Sequence, residues 1–230
     1  MNINTFRGEI RLIAVLIGCA LFIEFIGLDY FLAKKLYLLE GGEWSLRNNF
    51  WTKEILHEQI KNIIVLLYLA GWLFFFYIKG KNSTQDKFLL LAFINVLLIA
   101  IVIGILKVIS NVSCPWSIAD FGGQYEYYGI TRSFFIDEDL GNCFPGGHVT
   151  NAYAFLGFYF YVKLFYKEYS KPLLALILII GLVLDITQQL RGAHFFSHGI
   201  WSMIIALSIS YLSFGSLQKY LLIKNKLLTQ

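Results

Sequence analysis

The sequence predicts an all-α bundle of six transmembrane helices. Of its 230 residues, 57% are hydrophobic and 15% are charged, and the mean hydropathy is +0.63, whereas about 25% of the residues of a soluble domain are charged. Six apolar stretches are as long, or nearly as long, as the roughly 20 residues that a bilayer crossing requires. Backbone groups in hydrocarbon must hydrogen-bond within their own segment, so each stretch is expected to form a helix. The length fits one membrane domain over residues 1–230.

The predicted spans lie at 9–28, 60–78, 88–109, 149–166, 172–190 and 197–216. The first is expected to be a retained helix rather than a cleaved signal peptide, because Arg7 and Arg11 precede it and no small-residue cleavage site follows it. The connection after it contains the segment 34–58, which mixes Trp and Phe with charges. This segment is expected to form an interfacial amphipathic helix that lies along the membrane.

The basic residues indicate topology rather than a nucleic-acid partner. The formal charge is +4 and the pI is near 8.8, but the lysines are scattered in short loops and are not collected on one face. Most of them fall on one side, which is expected to be the cytoplasm. The long loop 110–148 and the turn 191–196 then face outward. We expect an integral protein of a bacterial inner membrane whose active site faces the periplasm, with no nucleic-acid partner; its oligomeric state stays open.

Three polar clusters occur at the ends of predicted spans, where polar groups indicate function. Alternating spans place the end of the third, the start of the fourth and the turn between the fifth and sixth on the same side of the membrane. The clusters are therefore expected to meet in one cleft. The residues concerned are Lys107, Gly146, Gly147, His148, Arg191, His194 and His198.

The chemistry of this set is suited to phosphate. Lys and Arg bind phosphate oxygens, and glycines allow backbone N–H groups to approach an anion. One histidine can accept a phosphoryl group while a second supplies a proton to the leaving group. A zinc site is not expected, because His57-Glu58 is not followed by a second His at position 61. The pair is instead expected on a solvated helix face.

In order and spacing, the residues resemble the type 2 phosphatidic acid phosphatase superfamily. Its members share a Lys followed after six residues by Arg-Pro, a Pro-Ser-Gly-His segment, and an Arg followed after five residues by His and then, four further on, by Asp. The resemblance implies a six-span bundle and metal-independent removal of phosphate from a lipid through a phosphohistidine, without a cofactor. It identifies His148 as the acid and His194 as the nucleophile. The other matching residues are Lys107, Pro115, Pro145 and Gly147.

Four positions depart from the family pattern: Cys114 replaces Arg, Gly146 replaces Ser, Gln188 replaces Arg and His198 replaces Asp. Arg191, one helical turn before His194, is expected to substitute for the third-motif Arg. Arg132 in the long loop is a candidate for the other missing cation. The predicted phosphate-binding set is Lys107, Arg191, Gly146, Gly147 and Arg132.

His198 is expected either to support His194, by accepting a hydrogen bond as a neutral ring, or to be structural. A carboxylate elsewhere is the alternative source of that support. The candidates are Asp120, Asp137, Asp139 and, if the helix breaks at Gly192, Asp185.

Cys114 and Cys143 both lie in the outer loop, which is an oxidising environment in a bacterium, so a disulfide between them is expected. If the loop were cytoplasmic, both would be free thiols.

The leading function hypothesis is a phosphatase for a lipid phosphate or pyrophosphate, of the lipid A phosphate or undecaprenyl pyrophosphate type that the resemblance implies. A lipid phosphotransferase is the close alternative. A non-catalytic lipid-binding or transport protein is the third, although no inverted repeat of the transporter kind is found.

Overall fold

The computed structural model describes residues 6–80 and 83–228, and the all-α prediction is confirmed for them. A single isolated β-bridge joins Ile118 to Tyr125, and no strand forms in the described ranges. The helices are α1 Arg7–Phe25, α2 Leu28–Leu39, a π-helix Phe50–Gln59, α3 Ile60–Ile78, α4 Thr84–Ile109, α5 Gly129–Ser133, α6 Thr150–Tyr153, α7 Leu156–Phe165, α8 Lys167–Leu190 and α9 Phe196–Leu228.

Six spans are not confirmed. In the described part of the chain, four helices are long and apolar enough to cross a membrane, or five if the bent pair α1–α2 is one span. The predicted span 149–166 is not one helix, because it divides into α6 and α7. At Phe155 the backbone N–H bonds to the carbonyl three residues back, and that of Phe158 does the same, so the α-helical ladder is interrupted there.

The segment between the first two predicted spans also differs from the prediction. A 66° bend separates α1 from α2, at Gly27, whose φ of +68° favours glycine. Segment 34–58 is not a single amphipathic helix: α2 continues to Leu39, a loop follows, and a π-helix begins at Phe50 and runs directly into α3. Asn49 caps this π-helix through the amide of Trp51.

Aromatic packing holds α4, α7 and α9 together. The Phe214 ring lies 5.6 Å from Phe88 and 5.7 Å from Phe160, centroid to centroid, and all three side chains are fully buried. Asn95 on α4 donates to Ser213 Oγ on α9 at 2.9 Å, which adds an interhelical polar contact of the kind common in membrane bundles. These contacts join the N-terminal half of α4 to the middle of α9, away from the helix ends where the polar clusters lie.

Candidate active site

The three polar clusters meet at one end of the bundle. Lys107, in the last turn of α4, approaches the loop before α6: its Nζ is 3.5 Å from the Pro145 carbonyl oxygen, and a Cβ on Gly147 would lie 3.2 Å from its Cδ. The amide of Gly146 donates to the His198 carbonyl oxygen at 3.2 Å. The loop before α6 is therefore held between the ends of α4 and α9.

His194 lies in the turn between α8 and α9, and its ring is buried. Its Nδ1 is 3.4 Å from Nδ1 of His198. Burial lowers the pKa of His194 well below its usual value, and the positive charge of Lys107 acts in the same direction. The ring is therefore neutral near pH 7, which is the form that acts as a nucleophile.

The turn that presents His194 depends on Gly192. Gly192 has a φ of +66°, and the amides of Gly192 and Ala193 donate to the carbonyls of Gln189 and Gln188, which ends α8. Any side chain at 192 would also collide with the ring of Trp44.

His148 is held by the π-helix. Its Nε2 is 3.0 Å from the Leu56 carbonyl oxygen, and because that oxygen can only accept, Nε2 must be the protonated nitrogen of the neutral ring. Nδ1 then faces the Asn151 amide at 3.5 Å. Burial, followed by the neighbouring His57, lowers the pKa of His148 to about 4, so the ring is neutral near pH 7 before an anion binds.

The backbone N–H groups of residues 146–148 differ in whether they have a hydrogen-bond partner. The expectation that Gly146 offers its N–H to phosphate is not met, because that N–H bonds to α9. A Cβ at 146 would lie 3.0 Å from Val149 Cγ1, which explains glycine where the family has Ser. Among the described residues, nothing accepts from the N–H groups of Gly147 or His148, so these two amides are the ones free to bind an anion.

Arg191 lies in contact with Gln188, which occupies the position of the family Arg. Its Nη1 donates to Gln188 Oε1 at 3.2 Å and its Nε to the Arg47 carbonyl oxygen at 3.0 Å. Burial and the nearby Arg47 lower the pKa of Arg191, and its charge acts in turn on His148. Gln188 stands where the family has Arg, and its side chain holds the guanidinium of Arg191.

Arg132 does not join the other predicted residues. It is exposed on α5, with its guanidinium 5.6 Å from the Tyr128 ring. The cation that lies at the first motif is Arg47, whose guanidinium is 4.0 Å from the Trp116 ring centre. It comes from the loop before the π-helix, a region whose position cannot be inferred from motif spacing.

His57 is the second residue that sequence reasoning missed. The His57-Glu58 pair was expected on a solvated helix face, but the His57 ring stacks on His148 with centroids 4.4 Å apart and planes 23° apart. Its Nδ1 is buried without a hydrogen-bond partner in the described part of the chain. Only the π-helix, which the sequence did not indicate, brings it there.

One disulfide and one backbone hydrogen bond hold the long loop at the site. Cys114 and Cys143 form a disulfide, with Cα atoms 5.2 Å apart. The Trp116 amide donates to the Gly192 carbonyl oxygen at 2.9 Å, so the first motif is fastened to the turn that carries His194.

An apolar groove leads to these polar groups. Its volume is about 420 Å³, and it lies between α3, α4 and α6. Tyr68, Val96, Ala100 and Gly104 line its length, and Lys107 and Gly147 close one end.

An apolar helical bundle with buried histidines and cations at one end of an apolar groove defines an integral membrane protein. The chain belongs to the PAP2 superfamily, the type 2 phosphatidic acid phosphatases, whose family model matches residues 88–221. Members of this family are phosphatases. No curated protein and no solved structure matches the chain.

Proposed function

We propose that the protein removes phosphate from a membrane lipid phosphate or pyrophosphate through a phosphohistidine on His194. The observation that supports this best is the position of Lys107 and Gly147. They belong both to the polar cluster of histidines and to the apolar groove. A lipid whose chain lies in the groove therefore presents its phosphate to the cluster.

In the proposed reaction, Nε2 of His194 attacks phosphorus and the bond to the lipid oxygen breaks. Lys107, Arg191 and the amides of Gly147 and His148 stabilise the transferred phosphoryl group. The leaving oxygen takes the proton from Nδ1 of His148, while the Leu56 carbonyl holds Nε2–H and fixes the ring. Water then attacks the phosphohistidine, His148 takes its proton, and inorganic phosphate leaves.

The protonation state of His148 follows from its environment. Its pKa of about 4 in the free protein means that the ring enters the reaction neutral near pH 7. A bound phosphate adjacent to the ring favours the cation, so a substrate that binds as the monoanion can deliver the required proton to Nδ1.

The proposed location is a bacterial inner membrane with the site facing the periplasm. The disulfide that joins Cys114 to Cys143 supports an oxidising compartment for this end of the bundle. Lipid A phosphate and undecaprenyl pyrophosphate are the proposed substrate types, because both present an anionic phosphate above long hydrocarbon chains.

The test is release of inorganic phosphate by purified protein in detergent with a chelator present. The panel contains lipid A phosphate, undecaprenyl pyrophosphate, phosphatidic acid and a short-chain phosphate. We expect at least one long-chain lipid to release phosphate well above a His194→Ala blank. Equal release by the two proteins on every substrate would reject the proposal. Labelled phosphate appearing on an added acceptor lipid, instead of in solution, would assign phosphotransfer.

Filling the groove should impair lipid substrates selectively. Gly104 lines the groove, and a Cβ there would meet nothing within 4 Å, so Gly104→Phe places a ring in the open space without a backbone clash. We expect kcat/KM for a long-chain lipid phosphate to fall about tenfold or more, the loss that follows from displacing a few buried methylenes.

The matched control is Gly18→Phe on α1, where a Cβ also meets nothing within 4 Å. This variant should retain activity. Hydrolysis of a short-chain phosphate should be similar in both variants and in the wild type. An equal loss on short and long substrates in Gly104→Phe would show that the groove does not hold the lipid chain.

A further inference from the structure

The nucleophilic histidine lacks a carboxylate in its own motif, because His198 occupies the position of the family Asp. For Nε2 of His194 to attack, its Nδ1 must carry the hydrogen. Nδ1 of His198 lies 3.4 Å from Nδ1 of His194, and the backbone of Cys143 contacts both rings. His198 can accept the hydrogen only if its own hydrogen is on Nε2.

His198 therefore needs an acceptor for Nε2–H. The ring is fully buried, at 0% exposure, and its Nε2 has no hydrogen-bond partner in the described ranges. An unsatisfied buried donor costs about 1–3 kcal/mol. The same ring lines a small cavity whose other walls include Asp29, Ser113 and Tyr127.

Asp29 is the only carboxylate among the residues that line this cavity. It projects from α2, is 2% exposed, and accepts from the amide and hydroxyl of Ser197 at 2.9 and 2.5 Å. No cation of the described residues lies within ion-pair distance of it. The N-terminus of α9 compensates part of its charge, but a neutral Asn would cap that helix as well without the cost of burying a carboxylate.

The four carboxylates that the sequence offered as supports for His194 are either hydrogen-bonded to other side chains or exposed. Asp185 accepts from the Gln189 side chain at 2.9 Å, and Asp120 accepts from the Tyr30 hydroxyl at 2.7 Å. Asp137 and Asp139 are exposed. Asp29 is the buried carboxylate that lines the same cavity as the His198 ring.

We propose that Asp29 is a positioning residue that completes a relay, His194–His198–Asp29, and that it replaces the family Asp together with His198. This rests on the proposed function. When the N–P bond forms on His194, positive charge develops on that ring, and the proton on its Nδ1 shifts toward Nδ1 of His198. The carboxylate of Asp29, across the shared cavity, stabilises the positive charge that this shift places on His198. Hydrolysis of the phosphohistidine reverses the shift, so no proton is gained or lost through the relay.

The direct test is Asp29→Asn, which keeps the size and the Ser197 contact but removes the charge. We expect kcat on the best lipid substrate to fall about a hundredfold while KM changes less than twofold, because the charge acts on the developing imidazolium and not on substrate binding. The matched control is Glu9→Gln, a buried carboxylate on α1 that accepts from the Tyr159 hydroxyl at 2.6 Å and lies outside the relay; this variant should retain near wild-type kcat.

A rescue experiment separates the relay from simple capping of α9. His198→Asp places a carboxylate directly beside His194, so adding it to Asp29→Asn should raise kcat at least tenfold above Asp29→Asn alone. Thermal unfolding in detergent checks that each variant is folded. If Asp29→Asn does not fold, Asp29→Ser, whose hydroxyl also accepts from the Ser197 amide, takes its place in the same cycle.

The outcomes are distinct. An active wild type with an Asp29→Asn variant within threefold of it in kcat would overturn the relay and leave the phosphatase proposal intact. A slow Asp29→Asn variant that His198→Asp does not improve would also overturn it, since Asp29 would then act only on the helix. A wild type no better than His194→Ala would instead reject the proposed function itself.

Discussion

Wild-type protein mixed with a lipid carrying labelled phosphate is expected to acquire the label on His194, and His194→Gln is expected to acquire none. The reason is that the described site offers no second nucleophile with the same environment. His148 is held through Nε2 by the π-helix, and His198 is enclosed behind His194. Steady-state phosphate release by His194→Gln should fall at least about a thousandfold, as for other enzymes that lose a covalent nucleophile.

The measurement is rapid quenching followed by acid and alkali treatment of the labelled protein. A phosphohistidine is lost in acid and survives alkali, whereas a phosphoserine behaves in the opposite way. Gln keeps an amide that can still contact His198, so the His194→Gln variant controls for packing. Label that persists in His194→Gln, or that survives acid in the wild type, would contradict attack by this histidine.

The sequence predicted the spans well where each is one helix. The predicted ranges 88–109, 172–190 and 197–216 fall within α4, α8 and α9. Hydropathy did not reveal the division of 149–166 into α6 and α7, because an apolar composition is the same whether the backbone is continuous or interrupted. The bend at Gly27 and the π-helix were missed for the same reason.

The predicted residues that belong to a motif lie together in the structure, whereas side chains that arrive from a distant element were not predicted. Lys107, His148 and His194 lie in the residues that the family model matches, 88–221. Asp29, Arg47 and His57 precede that region, and each reaches the site only through the path of α2, the following loop and the π-helix.

Two of the changes within the motifs, at Cys114 and Gln188, have an arginine nearby. A family Arg is absent at 114, where Cys114 forms a disulfide and Arg47 lies over Trp116. The Arg missing at 188 is replaced three residues later by Arg191, which Gln188 holds in place. The nearby cation thus comes from a distant loop in the first case and from the same helix end in the second, so motif spacing could indicate Arg191 but not Arg47.

The role of His148 predicts a loss that depends on the leaving group. His148→Asn is expected to lower kcat on a lipid monophosphate by about 10²- to 10⁴-fold, the usual contribution of a general acid. The loss on nitrophenyl phosphate should be less than about tenfold, because nitrophenolate leaves without a proton. Phosphate release from both substrates by the same preparation is the measurement.

Lys107→Met provides the contrasting control for this comparison. Lys107 lies against Gly147 and the Pro145 carbonyl. In the proposed reaction it contacts the phosphoryl group that both substrates share, so its loss should slow both by a similar factor of about a hundred. Only the loss of a group that protonates the leaving oxygen should slow the two substrates by different factors. If His148→Asn instead slowed them equally, His148 would belong with Lys107 as a phosphate-binding residue, and the proton would have to come from another group.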